Sequence, residues 1–176
     1  MKLIKFVKEN KIIVFSLFVV VLAFVFLALP GQFAKFDLYK GKQFNYELSG
    51  YQFIFGLEKG DLPNKAIPQG IAVFVMLILA FVGLIFSKKS SFVSLITSLV
   101  LITVSVLFFT ISVAGSKIYV NWANKNDYAY LWVPYLIGGL TVVAGGLMMF
   151  RTIVEMKNEI QHPAKPQGPQ YNYLHK

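Results

Sequence analysis

The side chains of this sequence that could do acid–base or metal chemistry are few. They are His162 and His175, the carboxylates Asp37, Glu47, Glu58, Asp61 and Asp127, and Glu9, Glu155 and Glu159 near the basic ends. Catalysis or metal binding needs such groups gathered in one cleft. The two histidines lie thirteen residues apart with no carboxylate between them. Cysteine is absent, which removes thiolate nucleophiles, disulfides and Cys-based metal sites. No H-E-x-x-H, phosphate-loop or G-x-S-x-G pattern occurs. The five carboxylates between Asp37 and Asp127 could surround a cation, but such residues more often form a solvated rim. No enzymatic activity, metal or cofactor is expected.

Hydroxyls and glycines are the other chemically notable groups. Ser91, Ser98, Ser105 and Ser112 repeat every seven residues, and at ~100° per residue they and Ser94 fall on one narrow helical stripe. Gly138 and Gly145 repeat by seven, as do Gly139 and Gly146, and Ser16 and Ala23. Small residues at this interval are what close, left-handed helix packing in lipid requires. A pore lined by the serines is the rival reading. Transport paths, however, place ionisable groups at membrane depth, and the apolar runs carrying these residues hold none. The serines read as helix-packing residues.

Those runs dominate the composition. The chain has 176 residues, 56% of them hydrophobic and 14% charged, with a mean hydropathy of +0.62. A soluble domain would carry about a quarter charged residues. Residues 12–30, 69–87, 91–115 and 131–150 form four apolar stretches without Asp, Glu, Lys, Arg or His, each long enough to cross a hydrocarbon core as a helix. Residues 1–161 are expected to form a single membrane domain.

Orientation follows from the short flanking segments. An arrangement with the N-terminus inside puts ten Lys and Arg residues in the cytoplasm and seven outside, with net charges of +7 and +2. The connection "SKKSS" carries no acid. Both termini are expected to be cytoplasmic. The formal net charge of +9 reflects this rule and an affinity for anionic lipid, not nucleic-acid binding. The basic start "MKLIKFVKEN" precedes an apolar run longer than a signal-peptide core, so the first span reads as an uncleaved anchor with an interfacial approach. Lysine outnumbers arginine sixteen to one, and Ile, Phe, Asn and Tyr are plentiful, which points to an AT-rich genome and a bacterial plasma membrane.

Between the first two spans, 31–68 breaks the pattern. "FAKFDLY" and "KQFNYEL" alternate apolar and polar residues around Lys40-Gly41, and Tyr51, Phe53 and Phe55 alternate again after Ser49-Gly50. Period two predicts strands, with glycine at the turns. The expectation is an external three-stranded antiparallel meander over 33–39, 42–48 and 51–55, with Lys117 to Trp122 as a possible fourth strand. Tyr46, Glu47, Tyr51, Phe53 and Phe55 would form its partner-facing surface. Tyr119, Trp122, Tyr128, Tyr130, Trp132 and Tyr135 read as an interfacial aromatic belt. After the last span a helix should continue to Pro163. Pro163, Pro166 and Pro169 then mark a disordered tail over 162–176, or a polyproline docking peptide.

The predicted fold is therefore a membrane all-α four-helix bundle carrying a small extracellular antiparallel β-sheet. In plan it resembles the claudin-like tetraspan group, in which a long first extracellular loop pairs its strands above a left-handed bundle. The resemblance is one of topology. The group's first-loop signature, Trp then Gly-Leu-Trp with two Cys, has no counterpart here, where Gly56-Leu57 precedes Glu58 and no residue role transfers. The resemblance implies a non-enzymatic scaffold or accessory subunit, working through the external sheet and helix faces on a membrane-protein partner or a second copy of itself. The competing class is a small oligomeric channel or transporter component.

Overall fold

The computed structural model describes residues 10–39, 42–56, 66–119 and 128–161, with the backbone alone described at 36–39, 42–46, 112–119, 128–130 and 159. The element order is α1 (Lys11–Ala28), β1 (Ala34–Tyr39), β2 (Lys42–Leu48), α2 (Gly50–Phe55), α3 (Pro68–Phe86), α4 (Ser91–Tyr119), β3 (Tyr128–Tyr130) and α5 (Trp132–Gln161). Helices α1, α3, α4 and α5 are each long and apolar enough to cross a bilayer. The chain has a tetraspan plan.

The four long helices pack in a cycle, α1 on α3 and α5, and α4 on α3 and α5. Their buried positions show why. In α3 the inward residues are Gly70, Val73, Leu77, Ala80 and Leu84, spaced three and four apart. In α4, Ser94, Leu101 and Phe108 repeat by seven, as do Thr97, Val104 and Ile111. Apolar residues at that 3.5-residue interval keep one seam facing the neighbouring helix. The opposite faces are apolar as well: Phe18, Val25, Leu79, Ile85, Phe92, Val106 and Phe150 are all exposed. A helix apolar on both faces needs an apolar solvent around it.

The third long helix outruns its expected end at 115 and continues to Tyr119. The fourth runs without a break to Gln161, through Arg151 and Glu155, as the expected continuation toward Pro163 has it. An i,i+4 ion pair between Arg151 and Glu155, at 2.7 Å, supports the extension where the apolar run stops.

Above one end of the bundle sits a sheet in the order β2-β1-β3. The hairpin of β1 and β2 forms as the alternation predicts, with Ala34 opposite Leu48 and Lys35 opposite Glu47. A register shift between Phe36 and Leu38 bends it. The third strand is not the expected one. Residues 50–55 form the short helix α2, and β3 comes instead from the distant segment Tyr128–Tyr130, antiparallel to β1.

Local chemistry decides for the helix at 50–55. Ser49 and Gln52 make a reciprocal capping box, in which the Gln52 N–H donates to Ser49 Oγ at 3.3 Å and the Ser49 N–H to Gln52 Oε1 at 3.1 Å. Caps of this kind are worth about 1 kcal/mol. Gly56 closes the turn in the left-handed region at φ 66°, donating its N–H to Gln52 O at 3.1 Å. The fourth-strand expectation at Lys117 to Trp122 is corrected too: 117–119 end α4, and 120–122 lie outside the described residues.

Candidate functional site

Ser94, Thr97, Ser98 and Ser105 of α4 are buried and their hydroxyls are met at short range, whereas Thr103 and Thr110 are exposed. Ser105 Oγ donates to the Gly138 carbonyl on α5 at 2.7 Å, where Thr141 Oγ1 adds a second bond at 3.1 Å. Ser94 and Thr152 share a hydrogen bond of 2.7 Å across the same helix pair. Ser98 and Thr97 bond back to carbonyls of their own helix, at 2.7 and 2.8 Å. Leu101, Val104 and Phe108, all fully enclosed, lie between the serines and interrupt any polar file. Ser91 is half-buried at the start of the helix, and the side chain of Ser112 lies outside the described residues.

The two glycine pairs of α5 separate by face. A Cβ at Gly145 would lie 2.9 Å from Ile102 Cγ1 and 3.1 Å from the Ile102 backbone nitrogen, and one at Gly138 3.1 Å from the Phe109 ring. Gly139 and Gly146 face open space. On α1, Ser16 and Ala23 are buried, and Ser16 Oγ has no hydrogen-bond partner.

At the sheet end, the surface expected to face a partner divides. Phe53 is 0% exposed, stacked at a tilt on Phe33 with centroids 5.2 Å apart. Tyr51 and Phe55 are half-buried and meet Phe74 of α3 edge-on, at 5.8 and 5.3 Å. These three residues anchor the cap to the bundle, because α2 lays its apolar side on the helix ends. Glu47 remains exposed. The Tyr46 side chain lies outside the described residues, as do Glu58, Asp61, Asp127 and both histidines. Further anchors join distant segments: Leu131 N–H to Phe33 O at 3.1 Å, Ile67 N–H to Ile54 O at 2.9 Å, and Trp132 Nε1 to Gln32 Oε1 at 2.8 Å. Trp132, read as belt, thus also has a specific polar partner.

At the opposite end lies a cleft of about 370 Å³. Residues 87–91, the turn between α3 and α4, form one wall, and Glu155 and Asn158 of α5 the other. Ser87 Oγ holds the end of α3 by donating to Leu84 O at 2.7 Å, and Ser90 Oγ accepts from Val93 N–H at 3.4 Å at the start of α4. Arg151 directs Nε and Nη2 onto one oxygen of Glu155, each at 2.7 Å, while its Nη1 is enclosed without a partner. The acid-free "SKKSS" was the sequence signal for this place. Its second wall, some 65 residues on, left none. Among the described residues no three His, Asp or Glu side chains stand close enough together to hold a metal ion.

No protein-family model matches the chain, and no curated protein matches it.

Proposed function

We propose that this protein is a non-enzymatic, multi-pass protein of a bacterial plasma membrane, claudin-like in plan. It has both termini in the cytoplasm and acts as a scaffold or accessory subunit for a membrane-protein partner or a second copy of itself. Four long apolar helices and the excess of basic residues at one end support the placement. The observation that carries the role is the edge of the cap. In the order β2-β1-β3, β2 has a sheet neighbour on one side only among the described residues, so the seven residues Lys42–Leu48 offer backbone groups to a further strand. Tyr46 and Glu47 lie on that strand. Phe53, Tyr51 and Phe55, turned to the bundle, take no part.

A photo-crosslinking residue in place of Asn45, activated in native membranes, tests this. A reproducible heavier adduct is the expected result; recovery of monomer alone would remove the scaffold reading.

Transport is the competing class, and the packing of α4 weighs against it. The natural absence of cysteine allows single Ser98→Cys and Ser105→Cys variants to be probed with a membrane-impermeant thiol reagent. Both should stay unmodified over a time in which an exposed Glu47→Cys control reacts to completion. Rapid labelling at either position would favour a water-filled path.

A further inference from the structure

The cleft between the α3–α4 turn and α5 combines three features that a single class of ligand would satisfy. The first is charge. Lys88 and Lys89 both lie on the turn, and both are exposed. Among the described residues of the lining there is one acid, Glu155, which is met twice by Arg151, and the two lysines outnumber it. The second is the start of α4. This 29-residue helix has no acid in its first turn and begins at Ser91 in the cleft wall, where the positive end of its dipole adds to the lysines.

The third is what surrounds the opening. Phe86, Phe92, Phe150 and Ile153, close in sequence to the lining residues, are exposed by 48, 66, 67 and 54%, so the outer surface at this end of the bundle is apolar. Lys89 marks the boundary, its Nζ lying 5.7 Å from the centroid of the Phe86 ring. A long side chain that rests its stem on an apolar ring and carries its charge to the polar side suits a bilayer interface. The volume lies within the range of small-molecule sites.

We propose that this cleft binds a phosphate carried by an anionic lipid headgroup, with Lys88 and Lys89 meeting the phosphate oxygens, Ser91 and Asn158 flanking them, and the acyl chains lying along Phe92 and Phe150. The inference rests on the membrane reading but on no choice of partner. Free phosphate shares the chemistry and lacks the chains.

The test is native mass spectrometry of the full chain in detergent with equimolar dioleoyl-phosphatidylglycerol and dioleoyl-phosphatidylcholine. Preferential retention of one phosphatidylglycerol is expected, falling roughly fivefold for each lysine replaced by glutamine. Asn158→Trp keeps every charge and fills the cleft; it should abolish the preference, whereas an intact preference would show diffuse surface charge and overturn the proposal. Equal retention of both lipids by the unaltered protein would overturn it as well. Inorganic phosphate added at constant ionic strength separates the sources: displacement of the lipid means that the phosphate alone is recognised, and persistence means that the chains contribute. Flotation with phosphatidylcholine vesicles, followed in parallel, reports on the membrane reading by itself.

Discussion

Phe53→Ala is expected to destabilise the cap by about 3–5 kcal/mol, the usual cost of emptying an enclosed phenylalanine site. The ring is fully buried, tilted against Phe33 and set among core residues. What fixes the cost near the upper part of that range is the lack of slack beside it. A Cβ added at Gly50 would already stand 3.0 Å from the backbone Cα of Leu27 and 3.0 Å from Phe33 Cδ2, so α2 cannot settle inward to fill the void. The long helices do not depend on this ring, so the loss should be local. Amide hydrogen exchange over 49–56 is the measurement, and protection there should fall by more than about a hundredfold while the protection of α4 holds. Unchanged protection would mean that Phe53 is a surface residue, as its alternation with Gln52 and Ile54 first suggests.

That alternation is instructive about what a sequence can carry. The long helices are legible because uncharged runs of that length have one stable answer in lipid, and the hairpin because period two persists across both strands. Over six residues, 50–55, period two and a single helical turn and a half cannot be told apart by hydrophobicity. The capping pair Ser49 and Gln52 held the answer. β3 is three residues long and finds Ala34 from Tyr130, a pairing that no local pattern encodes. Heptad spacing likewise marks Gly138/Gly145 and Gly139/Gly146 equally, since adjacent residues differ by only ~100° around the helix. The cleft was half legible. The basic turn stands out in the sequence, but its acidic and amide wall is supplied by a helix extension whose facing depends on how α5 crosses α4.

Gly145→Val separates the two glycine faces and carries the second large effect. At Gly145 the nearest neighbours of an added Cβ are Ile102 Cγ1 at 2.9 Å, the Ile102 backbone nitrogen at 3.1 Å and Leu101 Cβ at 3.1 Å. A side chain can rotate away; a backbone nitrogen moves only if α4 moves. Overpacking of this kind costs about 1–3 kcal/mol. The displacement also stretches Ser105 Oγ–Gly138 O and Ser94–Thr152, each worth ~0.6 kcal/mol in such helix pairs. Gly146→Val is the matched control, with the same residue change one position along and nothing within 4 Å of the new Cβ. Helix propensity is common to both variants, so their difference in denaturant-induced unfolding in micelles reports the close approach of α4 and α5 alone. Gly145→Val should be the less stable by at least about 1 kcal/mol. Equal stabilities would mean that the two helices do not touch through their backbones, and the hydroxyl bonds that depend on that contact would have to be given up with it.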